Sequence, residues 1–268
     1  DYTLSGGVNP TVSTGDVESA LDVLSDAETV DVNLLFAQDD ASGFEIASYL
    51  VGIAEARKDC IVFLSPPISA STSASAATNL SAVTSWGGNF NSSYAVLDST
   101  ALKVYDKYND AYIWIPASGH VAGLCASTDR VADAWWSPAG FNRGQLLGVT
   151  KLAFNPNQSA RDTLYKAGVN PIVSFPGQGI CLYGDKTSLN KPSAFDRINV
   201  RRLFIVLEKS ISTAAKYQLF EFNDEFTQAM FRNMTEPFLR DVQGRRGITD
   251  FRVVCDSTNN TEIGRAHV

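Results

Sequence analysis

The sequence predicts an α/β fold: a parallel-sheet α/β domain followed by a smaller α+β domain. Two strongly apolar runs, 30–37 and 60–64, lie on either side of a helical stripe of apolar side chains at 44–54. Buried strands separated by a helix are typical of a βαβ unit and a parallel sheet. The later part of the chain instead combines a hairpin signal with two helical stripes, which favours α+β.

The chain has 268 residues, enough for two domains with separate cores. We expect an α/β domain at 1–147 and an α+β domain at 148–261. Residues 262–268 have no pattern and are expected to be a disordered or non-native tail. Residues 1–150 hold 17 acidic and 6 basic side chains, whereas the rest holds 12 and 16, so the net charge of −7 is unevenly divided. Opposite charge on the two parts favours association between copies of the chain.

The elements of the first domain follow from apolar spacing. Helical spacing predicts a helix at 17–24, after a polar start, and the stripe at 44–54 predicts the next helix, which ends at the basic pair Arg57-Lys58. Strands are predicted at 30–37, 60–64, 94–97 and 111–115. A Ser/Ala-rich stretch at about 66–93 is expected to be a partly helical surface segment.

The second domain begins with a short predicted helix at 157–166. Strand-like runs at 172–175 and 180–183 flank Pro-Gly-Gln-Gly, a hairpin signal. A final strand is predicted at 251–255. Two helical stripes are expected to form core, and they consist of Val200, Leu203, Leu207 and Ile211, and of Phe222, Phe226, Met230, Met234 and Phe238.

Cysteine and histidine content argues against a metal or haem site. The four cysteines lie more than fifty residues apart in sequence, no CxxC pair exists and the chain has two histidines. We expect buried free thiols. No apolar run is long enough to span a membrane and no leader pattern is present, so a soluble protein without membrane insertion is expected.

Catalytic motifs are weak. His120 is the internal histidine available to a hydrolase, and Ser118 beside it lies outside any GxSxG motif. The carboxylates Asp39-Asp40, Asp129 and Asp133 are the candidates for acid/base or metal-binding roles, but solvated structural roles are more common for such residues. Phosphate-binding glycine motifs are also missing. We therefore predict no catalytic residue, no cofactor and no metal.

The strongest concentration of charge is basic. The sequence allows three interpretations: a docking face for an acidic protein surface, a solvated helix face, and, as the weakest, a nucleic-acid site, which lacks interleaved aromatics. A further alternative is pairing within the subunit. For Trp135-Trp136, core packing is favoured over an interface anchor. The candidate contact residues are Arg197, Arg201, Arg202, Arg245 and Arg246, with Lys209 and Arg240 nearby.

Several segments, in order along the chain, resemble the tail sheath proteins of contractile-tailed, T-even-like bacteriophages. An early one is Leu4-Ser5-Gly6-Gly7, followed by Val32-Asn33-Leu34-Leu35. The middle ones are the 115–123 run IPASGHVAG, then Asp129 and Trp136-Ser137-Pro138-Ala139-Gly140, then Gly168-Val169-Asn170 with the 179–187 run GICLYGDKT. The last ones are the 198–203 run INVRRL and the 251–256 run FRVVCD.

The resemblance implies a structural subunit that polymerises helically around a tail tube and contracts to drive the tube through the host envelope. It implies a subtilisin-like fold without a catalytic triad for the first domain, and a tube-facing second domain. The implied partners are copies of itself, the tube protein, and baseplate and terminator proteins, within a virion assembled in the bacterial cytoplasm. The alternatives are a bacteriocin or type VI secretion-like sheath and, from another class, a subtilisin-like hydrolase. Family members extend beyond the 251–256 segment, so the chain is expected to be a fragment.

Overall fold

The computed structural model describes residues 7, 12–38 and 44–260. The strands are β1 (Leu34–Gln38), β2 (Ile61–Ser65), β3 (Ala95–Asp98), β4 (Leu102–Asp106), β5 (Ala111–Ile115), β6 (Val149–Leu152), β7 (Val169–Asn170), β8 (Ile172–Phe175) and β9 (Gly179–Leu182). The helices are α1 (Thr14–Leu21), α2 (Glu45–Arg57), α3 (Ile68–Ser71), α4 (Ala76–Gly87), α5 (Ser118–Val131), α6 (Gln158–Lys166), α7 (Ile198–Ala215) and α8 (Glu225–Gly244).

Several helices begin at a residue whose side chain accepts a backbone N–H of the first turn, which satisfies a group that the helix itself leaves unpaired. Ser13 and Asp16 form a reciprocal capping box at α1. The other such caps are Ser75 at α4, Asn157 at α6 and Asp224 at α8. The predicted helix at 157–166 is confirmed, with Asn157 as its cap.

A four-stranded parallel sheet in the order β1-β2-β3-β7 forms the centre of the fold. This confirms the predicted βαβ unit, in which α2 joins β1 and β2. Side chains of β2 alternate between two cores: Val62 and Leu64 pack with α2, α4 and α6, while Ile61 and Phe63 pack with α5. The first strand begins at Leu34, later than predicted, and lies at the sheet edge, so Phe36 is exposed instead of buried.

The prediction that the Ser/Ala-rich stretch at about 66–93 is a surface segment is wrong in part. Its helix α4 packs on the parallel sheet, and the side chains of Val83, Trp86 and Phe90 are buried. Small residues permit the close approach: a Cβ added at Gly87 would lie 2.6 Å from Val169 Cγ2. Residues 72–78 are exposed, as predicted, so the surface prediction holds for that part and fails for the later turns of α4.

The expected boundary between 147 and 148 does not coincide with a break in the structure. Strand β6 pairs with β4, which places Leu152 opposite Leu102, in the antiparallel sheet ordered β5-β4-β6. Strand β7 pairs with β3, which places Val169 opposite Leu97. Both pairings join residues on opposite sides of the expected boundary. Strand β6 has four residues and strand β7 has two, so both are too short for a sequence pattern to reveal their partner strands.

The later elements agree with the sequence in part. The hairpin of β8 and β9 and the helix α7 are confirmed. The stripe on α8 was expected to be core, but Phe226, Met230 and Met234 are exposed, as is Phe222 just before the helix. Leu239 and Val242, near the end of α8, are buried against α7, and Phe238 of the predicted stripe packs beside them. Periodicity identifies an apolar face but not whether another element covers it.

The predicted strand at 251–255 is wrong for the described structure, which assigns no strand there. Phe251 and Val253 still pack beside α7 and α8, so the segment is held by side chains and not by a sheet partner. The predicted tail at 262–268 and the Asp39-Asp40 pair lie outside the described residues.

Candidate functional site

Two of the five candidate arginines are buried in the first turns of α7. Arg202 forms an ion pair with Asp129 on α5, from Nη2 to Oδ2 at 2.5 Å, and Nη1 donates to Ala134 O at 3.4 Å. The arginine is buried, whereas the side chain of Asp129 is 40% exposed. The pair ties α7 to the far end of α5, across the boundary that sequence analysis expected between domains.

Arg201 is held by aromatic rings and hydroxyls. Its guanidinium lies 4.2 Å from the ring centroid of Tyr94 and 4.0 Å from that of Phe195. Nη2 donates to Ser93 Oγ at 2.8 Å and Nη1 donates to Tyr94 Oη at 3.1 Å. Desolvation lowers the pKa of Arg201. Stacking between two rings compensates a buried cation that has no ion pair among the described residues.

These contacts correct the expectation of a docking face for Arg201 and Arg202. Both side chains are buried and bind partners within the subunit, as the alternative of internal pairing anticipates. Neither presents its charge to a neighbour, because burial and internal partners remove it from the surface. The spacing of arginines on a helix shows that they share one face but not whether that face is covered.

The other three arginines lie nearer to solvent. Arg197 pairs with Asp196 at 3.3 Å and donates to Tyr165 Oη. Arg245 pairs with Asp133, stacks 5.3 Å from the centroid of Trp135, and its carbonyl accepts Trp135 Nε1 at 3.0 Å. Arg246 is exposed at the end of α8. Their role between subunits stays a prediction.

The tryptophan pair also makes internal contacts with arginines. Trp135 is partly buried against the small core formed by α7 and α8, beside Arg245. The Arg143 guanidinium lies over Trp136, 5.2 Å from the centroid of the indole ring. The favoured interpretation, core packing, therefore fits Trp135, whereas Trp136 belongs to none of the hydrophobic clusters found among the described residues.

The hydrolase candidates do not form a catalytic constellation. His120 lies in the first turn of α5, half-buried, and desolvation lowers its pKa. Asp129 is nine residues further along the same helix, a rise of about 13 Å, and is paired with Arg202. Asp133 is paired with Arg245. Neither carboxylate is placed to orient His120.

Sequence reasoning missed a buried polar cluster at the carboxyl ends of β2 and β3. Ser65 Oγ donates to Asp98 Oδ2, Thr100 N donates to Asp98 Oδ1 at 3.4 Å, and Ser118 N donates to Ser65 Oγ at 2.8 Å. Burial raises the pKa of Asp98 to about 8, so its carboxyl is largely protonated at neutral pH. Polar residues directly after two buried strands were the available signal. The cluster is buried inside the fold, which suits a structural role.

The described residues offer few groups for binding a metal ion or for thiol chemistry. Within the described ranges, no group of three or more His, Cys, Asp or Glu side chains is arranged to hold a metal ion. Helices long and apolar enough to cross a membrane are likewise not found there. Cys60, Cys125 and Cys181 are buried free thiols, and Cys255 is a half-buried free thiol. Burial raises the pKa of Cys60 to about 11, which suppresses the reactive thiolate.

Two family models match the chain consecutively. The phage tail sheath protein central domain matches residues 12–188, and the phage tail sheath C-terminal domain matches residues 190–268. The tail sheath protein of Vibrio phage KVP40 is 44% identical over 97% of this chain and 42% of its own length, and that of Enterobacteria phage T4 gives the same three values. This chain therefore spans less than half the length of these relatives.

Solved structures give the same fold. The sheath complex of an extracellular contractile injection system, PVC, in its contracted state has a TM-score of 0.68 at 24% identity, covering 84% of this chain and 58% of that one. The helical sheath of the anti-feeding prophage in its contracted state has a TM-score of 0.66 at 20% identity, covering 89% and 61%. A sheath tail protein from Listeria innocua gives 0.65 at 14% identity, covering 96% and 55%. With its parallel sheet, its two consecutive matches and relatives of this identity, the chain belongs to the phage tail sheath protein family.

Proposed function

We propose that this chain is the part of a contractile phage tail sheath subunit that packs into a helical array around a tail tube. Contraction of the array would drive the tube through the host envelope. The observation that carries the proposal is the consecutive match of both sheath domains, at 44% identity to phage sheath proteins over 97% of the chain. The subunit would be a virion component assembled in the bacterial cytoplasm.

The phage setting is preferred over a bacteriocin or secretion-like sheath. The relatives at 40–44% identity are phage tail sheath proteins. The injection-system sheaths share the fold at 20–24% identity, which supports a common architecture without assigning a setting. A subtilisin-like fold of the sheet domain is part of the proposal and rests on the family resemblance.

We also place the domain division near residues 188–190 and not at 147. The strand pairings of β6 and β7 support this position, because both bind residues 148–170 to the sheets of the first part. The ends of the two family models support it independently. The second domain would then consist mainly of α7, α8 and the segment packed on them.

Contacts between subunits, with the tube, and with baseplate and terminator proteins are expected to use surface charge. Arg245 and Arg246 are exposed at the end of α8, and Arg197 is partly exposed. Acidic side chains are exposed on α1 and the turn after it, including Asp16, Asp22, Asp26 and Glu28. Opposite charges at separate places on one subunit favour head-to-tail contacts over contacts between identical surfaces.

A sedimentation assay tests the proposal. The full-length polypeptide that contains this chain is expected to pellet as a polymer, and Arg246→Glu, at an exposed arginine, is expected to reduce pelleting at low salt. An Arg130→Glu variant, changed at an exposed arginine of α5, serves as the matched control. A full-length protein that stays in the supernatant under every condition would contradict the proposal.

The proposed role requires no enzymatic activity. His120 and the buried Ser118 lack a placed carboxylate partner among the described residues. An esterase and protease panel with wild type and His120→Ala is expected to show equal, background rates. Hydrolysis that disappears in His120→Ala would instead favour the hydrolase alternative.

A further inference from the structure

Helix α8 carries an apolar ridge on its outer surface. Phe226, Met230 and Met234 are spaced four residues apart and are 72%, 46% and 36% exposed. Their spacing places them in one line along the helix. None of the hydrophobic clusters found among the described residues includes them. We call these three side chains the α8 ridge.

Helix α5 carries a groove of about 670 Å³ on its outer surface. Along its floor, Gly119, Gly123 and Ser127 are also spaced four residues apart, and a Cβ added at Gly123 would meet nothing within 4 Å. Leu147 and Val131 form an apolar rim and are 81% and 66% exposed. We call this the α5 groove.

The ridge and the groove match in geometry. Each runs over eight residues of helix, a rise of about 12 Å. Ridges formed by residues four apart pack into grooves of the same spacing when two helices cross at about −50°, a common arrangement in globular proteins. The absence of a side chain at Gly123 gives a large ridge side chain somewhere to enter, whereas at Gly119 the Phe36 ring lies 3.5 Å from where a Cβ would be and bounds that end of the groove.

The two surfaces also match in charge. The lining of the groove contains Arg143 and, in the part of the chain that the structure describes, no carboxylate. Glu225 and Glu221 are exposed at the start of α8, next to the ridge. A second copy of this chain therefore offers an apolar ridge with acidic side chains at one end to a groove that has an apolar rim, several uncharged polar lining residues and one basic side chain, Arg143.

We propose that the α8 ridge of one subunit packs into the α5 groove of the next. The contact joins two different surfaces, so it propagates from copy to copy instead of closing as a symmetric dimer. This inference rests on the proposed function as a polymerising subunit and names the surfaces that one of its contacts uses. The occupant of each groove is a second copy of this chain.

Sedimentation velocity of the purified chain over a concentration series tests the contact. Wild type is expected to self-associate with increasing concentration. Met230→Glu places a charge in the ridge, and Gly123→Leu fills the groove, so each variant alone is expected to weaken association at least about thirtyfold. Gly52→Leu is the matched control, because Gly52 is also an exposed helical glycine with nothing within 4 Å of an added Cβ, and it should associate as wild type does.

Mixing the two variants distinguishes this arrangement from a symmetric one. The Met230→Glu chain retains an intact groove and the Gly123→Leu chain retains an intact ridge, so the mixture is expected to form a one-to-one complex that grows no further. Circular dichroism of each variant establishes that it is folded. A wild type that remains monomeric throughout, or folded variants whose mixture does not associate, would overturn the proposed contact. Either result leaves the sheath function to be decided by the full-length protein.

Discussion

Replacing Asp98 by Asn is expected to change how the stability of this chain depends on pH. Asp98 is buried at the end of β3, where Ser65 and the Thr100 amide are its hydrogen-bond partners. Its pKa is raised by burial from 3.8 to about 8. Asn has a similar shape and no ionisable proton, so the two proteins differ chiefly in this titration.

The sign and size follow from linkage. Below about pH 4 the carboxyl is protonated in both folded and unfolded chains; between pH 4 and pH 8 the unfolded chain releases the proton while the folded chain keeps it. The free energy of unfolding of wild type therefore falls as pH rises through this window, by up to about 1.4 kcal/mol per pH unit. Over the whole window the contribution reaches about 6 kcal/mol, and above pH 8 it no longer changes.

Urea unfolding followed by circular dichroism at several pH values from 5 to 9 measures the effect. The difference in unfolding free energy between Asp98→Asn and wild type should shift steadily in favour of the variant up to about pH 8. Asp162→Asn, changed at an exposed carboxylate on α6, is the control and should parallel wild type. A difference between Asp98→Asn and wild type that is constant from pH 5 to pH 8 would refute the buried, protonated Asp98.

Five further substitutions test the packing. Trp86→Ala should lower the free energy of unfolding by about 3 kcal/mol because α4 is core, whereas Ser85→Ala on its exposed side should change it by less than about 0.5 kcal/mol; equal small effects in urea unfolding would restore the surface interpretation of 66–93. Arg202→Ala should cost about 2 kcal/mol in the same assay, since it leaves Asp129 without its partner, and Arg202→Ala as stable as wild type would argue against the internal pair. Gly123→Ala should raise the free energy of unfolding by about 0.5–1 kcal/mol, and with it the melting temperature, because alanine favours the helix more than glycine does. Gly87→Ala should lower the melting temperature because its Cβ would clash with Val169. The opposite order of the two melting temperatures would contradict the packing of α4 and α5.

The sequence predicted local elements better than their partners. The βαβ unit, the helix capped by Asn157 and the β8–β9 hairpin each depend on residues close in sequence, so periodicity and turn residues were sufficient. The pairing of β7 with β3 joins Val169 to Leu97, and no local pattern records a contact between strands so far apart. The error at 251–255 is similar in kind, since a strand pattern does not guarantee a partner strand.

The sequence identified which residues of the candidate site form a group, but it did not show which of their side chains are buried and which are exposed. The arginines at 201 and 202 were identified as an unusual group, yet their burial depends on Tyr94, Phe195 and Asp129, which come from distant segments. The α8 stripe was identified correctly as apolar and wrongly as core. In both cases the sequence indicates a face of a helix, and tertiary packing decides what covers it.

The most direct measurement is cryo-electron microscopy of assemblies formed by the full-length polypeptide that contains this chain, with the copies resolved well enough to place residues 12–260. We expect a hollow helical array with this fold repeated along it and neighbouring copies joined through different surfaces. Dispersed single subunits, or closed symmetric oligomers that do not grow along an axis, would contradict it.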